Sequence, residues 1–314
     1  MGAPIGSHLY HNEMQIFCIF NPEHDLCLAN GSAHYVPPES ALNFARTSKH
    51  LMGYIYPEAK SFSAAEVGQE VKNIPNAQIK IIPWGWNLTL RTQLLKQGVP
   101  ESLMPSEESL LCWRQLQHRS TVLPLQPDCR AAVEGTEVEE MIGRHGAVVM
   151  KAPWSGAGRG LRWATGKMSD HDRRWMRKMV HEQRCVIVEP RREVRDNFAL
   201  EYYVEGGRLR FVGFSLFESI NGVYRHNLLL SDEEIRNRVG FHQSLQNDLE
   251  CWLGKNIAPL YEGPLGVDYI SSKQGEIHLT ELNLRHTMGL VAHEVLRENP
   301  GLLGTTFVVS PEEV

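Results

Sequence analysis

The chain has 314 residues, of which 42% are hydrophobic and 22% are charged, and its formal net charge is −5. This length suits two or three lobes, since a single core rarely grows beyond about 250–300 residues, and the composition is that of a globular protein. Dispersed basic residues under a negative net charge argue against nucleic acid as a main partner. No apolar stretch approaches the roughly 18 residues of a membrane helix, so we expect no membrane partner either.

The cysteines are scattered along the chain and form no Cys-x-x-Cys pair. Several have apolar neighbours, as in Ile-Phe-Cys18-Ile-Phe, which favours buried free thiols over disulfides. Free thiols and the absence of a hydrophobic signal core indicate a cytoplasmic protein.

The first part of the chain predicts a small α/β domain over residues 14–115. Residues 1–13 have little periodicity and are expected to be a disordered extension ahead of Met14. Predicted strands alternate with helix-like stretches, which is typical of a parallel sheet. The strands cover 15–20 and 78–82, and the helix-like stretches cover 39–52, 87–97 and 107–118.

Two polar loops follow these strands, and in open α/β sheets ligands bind beyond the carboxyl ends of the strands. The loops read Asn-Pro-Glu-His24-Asp25 and Pro-Trp-Gly-Trp86-Asn87, so these four numbered residues are candidate substrate contacts. A helix cap beside a surface histidine explains the first loop equally well. Core or interface packing explains the tryptophan pair better than ligand stacking does.

A glycine-rich segment follows in the second part of the chain. An apolar run over 147–150 ends in Lys151, and Ser155-Gly156-Ala-Gly158-Arg159-Gly160 precedes another apolar stretch. Glycines let backbone N–H groups approach phosphate oxygens, and a lysine at the strand end adds a positive charge. The segment is neither a Walker loop nor a Rossmann fingerprint, because no helix follows it. A glycine-rich hairpin without a ligand is the alternative.

The next apolar strand ends in a carboxylate and a proline. Cys185-Val-Ile-Val-Glu189-Pro190 has the pattern of a hinge, because proline stops the ladder of backbone hydrogen bonds. A long helix is predicted further on, over 232–254.

Three oxygen-bearing side chains lie on a predicted hairpin near the end of the chain. The segments 263–270 and 276–283 alternate apolar and polar residues around Gly275. Glu281 and Asn283 share one strand face, and Asp268 lies thirteen residues before Glu281, so the hairpin brings it across from them. Such a set suits Mg²⁺, with positions left for phosphate oxygens and water. A solvated polar face on an edge hairpin is the alternative.

The lysine with its glycine loop, the strand that ends in Glu-Pro and the Asp…Glu-x-Asn set resemble, in this order, the ATP-grasp superfamily over about residues 110–300. The tail Glu281-x-Asn283-x-Arg285 resembles the biotin carboxylase branch, and the gap between Asp268 and Glu281 resembles the D-alanine–D-alanine ligase branch. The resemblance implies an α/β and α+β architecture, the ATP-grasp fold behind a small α/β domain. The lid subdomain would cover 116–188 and the metal-binding subdomain 189–314.

The resemblance also implies roles for matching residues on the nucleotide side. Lys151 would bind the α and β phosphates and Glu189 the adenine or ribose. The loop over the β and γ phosphates would consist of Ser155, Gly156, Gly158, Arg159 and Gly160. Two matches depart from the family pattern. Glu201 lies far beyond the hinge, and Arg119 stands where the family usually has lysine, so an ordinary solvated arginine is nearly as good an interpretation of Arg119.

On the metal side, the resemblance makes Asp268, Glu281 and Asn283 the ligands of Mg²⁺ (or Mn²⁺). Arg285 would face the γ-phosphate and the acyl-phosphate that forms from it, so Arg285 and Lys151 are the implied catalytic residues. The bend after the metal strand holds the acceptor in this family, which makes His286 and His293 candidate substrate contacts. Incidental histidines at a helix start are the alternative.

The implied reaction activates a carboxylate with ATP to an acyl-phosphate, from which an amine then displaces phosphate. No covalent nucleophile motif such as Gly-x-Ser-x-Gly is present. A kinase on the same fold and a catalytically silent nucleotide-binding protein remain as alternatives. The identities of the acid and the amine and the oligomeric state stay open, with a homodimer as one candidate.

Overall fold

The computed structural model describes residues 14–72, 74–156, 160–220 and 222–309. The predicted extension 1–13 and the loop residues Gly158 and Arg159 lie outside the described residues. The described residues form three β-sheets with covering helices. Among them, no helix is long and apolar enough to cross a membrane. All six cysteines are free thiols, and three of them are buried, as predicted.

The first sheet is parallel, as the strand–helix alternation predicted. Its order is β2-β1-β3, and Phe17 pairs with Lys60 on one side and with Ile81 on the other. The strands are β1 (Gln15–Ile19), β2 (Lys60–Phe62) and β3 (Ile79–Pro83). The helices are α1 (His24–Asn30), α2 (Glu39–Thr47), α3 (Leu51–Ile55), α4 (Val67–Val71), α5 (Leu88–Lys96) and α6 (Glu107–Leu116). Short 3₁₀ segments lie at Asn76–Gln78, Glu101–Leu103 and Arg119–Leu125.

One helix-like stretch of this region is divided. The prediction ran from 39 to 52, but α2 ends at Thr47 because Ser48 leaves helical geometry with φ −111° and ψ 14°. The Thr47 hydroxyl bonds back to the Asn43 carbonyl, and a new helix starts at Leu51. Such side-chain bonds compete with the backbone ladder near a helix end.

The second sheet is four-stranded and antiparallel, in the order β4-β7-β5-β6. Val148 and Met150 are fully buried against the helices, so Val149 and Lys151 point to the opposite face. The strands are β4 (Arg130–Ala132), β5 (Ala147–Lys151), β6 (Leu161–Thr165) and β7 (Val186–Pro190). The helices are α7 (Gly135–His145) and α8 (Asp170–Gln183).

The third sheet has six strands in the order β12-β11-β8-β9-β10-β13. One face carries the largest core, in which Phe198, Leu200, Tyr202 and Phe214 pack against Leu253. The strands are β8 (Val194–Glu205), β9 (Arg208–Ile220), β10 (Val223–Leu228), β11 (Gly263–Ser272), β12 (Ile277–Asn283) and β13 (Thr306–Phe307). The helices are α9 (Asp232–Val239), α10 (Gln243–Asn256) and α11 (Met288–Glu298), and a 3₁₀ segment covers Pro300–Leu302.

The single long helix predicted over 232–254 is wrong, because two helices occupy this stretch. Gly240 caps α9 in the left-handed region at φ 72°, and its N–H bonds to the Arg236 carbonyl. A left-handed glycine is a common end of a helix, since it has no Cβ to clash. The chain therefore turns before α10 begins at Gln243.

The hairpin of β11 and β12 forms as the alternation predicted. Asp268 pairs with Glu281 and Gly266 with Asn283, and Gly275 turns the chain at φ 87°. The three side chains proposed as metal ligands therefore share one end and one face of the hairpin.

Candidate functional site

The second and third sheets enclose a cleft of about 1310 Å³. Pockets for drug-sized ligands usually measure about 300–1,000 Å³, so this cleft has room for a nucleotide and a second ligand. Most residues proposed for ATP and metal binding line it: Arg119, Lys151, Ser155, Gly156, Glu189, Glu201, Asp268, Glu281, Asn283 and Arg285. The structure thus brings together residues that lie up to 166 positions apart in the sequence.

The second sheet supplies a charged pair to the cleft. Lys151 Nζ lies 2.7 Å from Glu189 Oε2, and both side chains are nearly buried. The other carboxylate oxygen, Glu189 Oε1, is buried and has no hydrogen-bond partner among the described residues. An unpaired buried acceptor is costly, so a ligand with an N–H or O–H group would be favoured here.

The third sheet supplies the oxygen-rich side of the cleft. Asn283 Nδ2 donates to Asp268 Oδ2 at 3.1 Å, and Glu281 lies across the hairpin from Asp268. Burial, together with the charges of Glu281 and Glu201, raises the pKa of Asp268 to about 8. A cation between these carboxylates would relieve their repulsion.

These donors fit a hard cation such as Mg²⁺, which prefers carboxylate and amide oxygens. Within the described ranges, no group of three Asp, Glu, His or Cys side chains is arranged to hold a metal alone. The two carboxylates and one amide are therefore a partial set, which phosphate oxygens or water would complete.

Arg119 lies between the glycine-rich segment and the predicted metal ligands. Its guanidinium donates to the Ala152 carbonyl, to Ser155 Oγ at 2.8 Å and to the Ser155 carbonyl at 3.0 Å. It also donates to Glu281 Oε1 at 2.8 Å. Arg119 is only 7% exposed, which excludes the interpretation as a solvated surface arginine.

Arg285 is held by a carboxylate from α1. Its Nε and Nη2 donate to the two oxygens of Asp25, each at 3.0 Å, and its Nη1 donates to the His286 carbonyl at 3.0 Å. A bidentate pair of this kind fixes the plane of the guanidinium as well as its position.

Glu201 is buried at the cleft floor between two hydroxyl groups. Ser215 Oγ donates to Oε1 at 3.0 Å, and Thr287 Oγ1 donates to Oε2 at 2.8 Å. Burial raises the pKa of Glu201 to about 7, against the opposing effect of these two hydrogen bonds. Gly289 comes so close that a Cβ there would overlap Glu201 Oε1.

Two glycines of the loop have steric reasons for lacking a side chain. A Cβ at Gly156 would lie 2.4 Å from Asp25 Oδ2, and one at Gly160 would lie 2.3 Å from Ser155 Oγ. Ala152 N–H also donates to the Gly160 carbonyl at 2.8 Å, which closes the base of the loop.

The residues proposed as substrate contacts instead make hydrogen bonds and packing contacts within the protein. Asn87 Nδ2 donates to His24 Nδ1 at 3.1 Å, and the Asn87 side chain also caps α5. Trp86 packs on the core of the first sheet, as the packing interpretation predicted. His286 Nδ1 donates to the carbonyls of Pro83 and Trp84, so its Nε2 accepts from Tyr56.

Two of the histidines among these residues, His24 and His286, are buried. Burial lowers the pKa of both His24 and His286 to about 4, so both rings are neutral at physiological pH. Among the described residues that line the cleft, none is His24, Asp25, Trp86, Asn87, His286 or His293. Their role as substrate contacts stays a prediction.

One polar group at the cleft edge was missed by the sequence analysis. The buried Asp196 accepts from Arg195 Nε at 2.9 Å and from Arg238 Nε at 2.9 Å. All three residues line the cleft. The adjacent Arg-Asp pair after the hinge was the available signal, but the contact with Arg238 bridges 42 residues.

No protein-family model matches the sequence, and no curated protein matches it. Solved structures do match. The D-alanyl-alanine synthetase A from Vibrio cholerae is 12% identical, with 92% of this chain and 94% of that chain covered and a TM-score of 0.52. The biotin carboxylase from Campylobacter jejuni is 14% identical, with 95% of this chain and 67% of that chain covered and a TM-score of 0.51.

The N5-carboxyaminoimidazole synthetase from Staphylococcus aureus is 11% identical, with 94% of this chain and 80% of that chain covered and a TM-score of 0.50. At identities this low the likeness is one of fold, and it extends over nearly the whole of the chain.

Proposed function

The chain has the ATP-grasp fold, as its motifs predicted, and we propose that it is an ATP- and magnesium-dependent ligase. It would activate a carboxylate as an acyl-phosphate and couple it to an amine. The observation that carries this proposal is the convergence in one cleft of Lys151 and Glu189 from one sheet with Asp268, Glu281 and Asn283 from the other.

The proposed roles follow from charge and position. Lys151 would bind phosphate oxygens of ATP, and Glu189 Oε1 would accept a hydrogen bond from the nucleotide. Asp268, Glu281 and Asn283 would hold Mg²⁺, which supplies charge neutralisation at the phosphates. Arg285 would stabilise the charge that develops as a carboxylate oxygen attacks the γ-phosphorus and ADP leaves.

The second half of the reaction requires an amine to displace phosphate from the acyl-phosphate. Ligands that fill the cleft would exclude water, which otherwise hydrolyses such an intermediate. Its volume supports a second ligand beside the nucleotide.

The similar structures support this proposal. One was solved with ADP, another is a complex of biotin carboxylase with beta-gamma-ATP, and two are called synthetases. Formation of an amide or a related carbon–nitrogen bond is therefore proposed for this chain, without a named acid or amine.

A turnover screen tests the proposal. Purified protein, ATP and Mg²⁺ are incubated with pools of carboxylates and amines, ADP is measured, and products are identified by mass. A ligase releases phosphate only when acid and amine are both present, whereas a kinase transfers phosphate to a single hydroxyl acceptor. Tight ATP binding without turnover on any pool would replace the ligase by a silent nucleotide-binding protein.

A further inference from the structure

Asp25 is the feature of the cleft region that the proposed reaction does not use. It lies in the first turn of α1, yet both of its oxygens are bound by Arg285, which lies 260 residues away. We infer that Asp25 is a positioning residue for Arg285. We also infer that position 156 is a glycine because any larger side chain there would clash with Asp25. This inference rests on the proposed function, since it assigns Arg285 to the terminal phosphate.

The hydrogen bonds of Arg285 leave a defined part of the guanidinium free. Of its five N–H groups, two bind Asp25 and one binds the His286 carbonyl. Arg285 lines the cleft, so the remaining two donors are available to a ligand there. A long flexible side chain is thereby held in one orientation before any ligand arrives, which lowers the entropy cost of binding.

The carboxylate of Asp25 is ionised in this setting. Burial acts to raise the pKa of Asp25, but the positive charge of Arg285 and the hydrogen bonds from Arg285 lower it by more, so the net shift of the pKa is downward. A buried arginine without its carboxylate partner would be left with unmet donors and would reorient.

Gly156 connects the glycine-rich segment to this pair. A Cβ at Gly156 would lie 2.4 Å from Asp25 Oδ2 and 2.8 Å from Asp25 Cβ. Real Cβ atoms do not approach so closely, so a side chain here must displace Asp25 and, through it, Arg285. Gly156→Ala is therefore a second and independent way to disturb the pair.

A displaced Arg285 should affect the binding of the terminal phosphate of ATP more than the binding of the rest of the nucleotide. If Arg285 faces the γ-phosphate, a misplaced Arg285 weakens binding of ATP more than binding of ADP. A residue that only stabilises the fold would lower the melting temperature and would leave the ratio of the two affinities unchanged.

Equilibrium binding of a non-hydrolysable ATP analogue and of ADP, both with Mg²⁺, tests the inference. For Asp25→Asn and Arg285→Lys we expect the preference for the ATP analogue to fall about tenfold, with ADP affinity nearly constant. For Gly156→Ala we expect the preference for the ATP analogue over ADP to fall by a similar factor. Asp25→Asn combined with Arg285→Lys should lose little more than either change alone, because both act on one contact.

Matched controls lie outside the cleft. Asp172→Asn changes one partner of the capping box of α8, and Gly143→Ala adds a Cβ that meets nothing within 4 Å, so both should keep the wild-type preference. A wild-type protein that binds neither nucleotide would defeat the proposed function. If Asp25→Asn keeps the wild-type preference for the ATP analogue, the inference is wrong but the proposed function still stands. If Asp25→Asn does not fold, the same result with Gly156→Ala would overturn the inference.

Discussion

Lys151 and Glu189 form a 2.7 Å ion pair between the neighbouring strands β5 and β7. The strands are in register at Val149 and Glu189, so Lys151 lies diagonally from its partner on the face that lines the cleft. Because Glu189 Oε1 has no partner among the described residues, the pair presents a positive charge and a free acceptor side by side. A nucleotide offers the complementary groups, with anionic phosphates and N–H donors on its base.

The first prediction is that Lys151→Ala weakens nucleotide binding by at least about tenfold, or roughly 1.4 kcal/mol, because a phosphate loses its cation. Calorimetric titration with an ATP analogue measures this. Lys178→Ala, which removes an exposed lysine on α8, is the control and should bind normally. Wild-type affinity in Lys151→Ala would mean that the glycine-rich hairpin is only structural.

The second prediction concerns the oxygen ligands. Asp268→Asn and Glu281→Gln should nearly abolish ATP turnover, because each removes a charged ligand of Mg²⁺, while the thermal melt changes little. Glu276→Gln lies at the exposed end of the same hairpin and should keep full turnover. A variant of Asp268 or Glu281 that retains most of its activity would remove the metal assignment.

The third prediction is a pH dependence of magnesium binding. Since burial and the neighbouring carboxylates raise the pKa of Asp268 to about 8, most Asp268 is protonated below that pH and must lose its proton to bind a metal. Affinity for the ATP analogue with Mg²⁺ should therefore rise from pH 7 to pH 8.5, a range in which the phosphates of ATP are already ionised. A flat profile would show that Asp268 is ionised at neutral pH in the free protein.

The fourth prediction concerns His286 and stability. Burial lowers its folded-state pKa to about 4 from an ordinary value near 6.5, so the folded state disfavours the proton. Its contribution to the free energy of unfolding is present above pH 6.5 and is lost as the pH falls toward 4, by about 3 kcal/mol at most. Denaturant unfolding of wild type and His286→Asn from pH 7 to pH 4 measures it. Parallel curves for the two proteins would contradict the neutral buried ring.

Local patterns were enough to predict the elements that carry the cleft. The alternation around Gly275 predicted the hairpin of Asp268 and Glu281, and the apolar run before Lys151 predicted β5 and its return strand. Both are contacts between chain neighbours, which a period-two pattern specifies directly. The helix end at Gly240 was not predicted. The glycine lay within the predicted helix, and the apolar positions on both sides of it fitted one continuous helical pattern.

Contacts between distant parts of the chain were beyond the sequence analysis. The polar segment with His24 and Asp25 was predicted as a loop with the composition of a substrate site, but it begins α1, and the buried His24 bonds to Asn87 and Gln117, 63 and 93 residues away. Both carboxylate oxygens of Asp25 accept hydrogen bonds from Arg285, which lies 260 residues away. Composition and periodicity do not encode which distant part of the chain covers a segment. The sequence therefore predicted that these residues are polar and clustered, but not which residues they contact.

The binding of an ATP analogue to the wild-type protein with and without Mg²⁺ tests the central claim most directly, because it asks whether the cleft joins phosphates and metal in one site. We predict tight binding with Mg²⁺ and a loss of at least about tenfold when the metal is chelated, since the phosphates then lose the cation that joins them to Asp268 and Glu281. Equal affinity in both conditions, or no binding in either, would contradict the account of this cleft as a magnesium–nucleotide site.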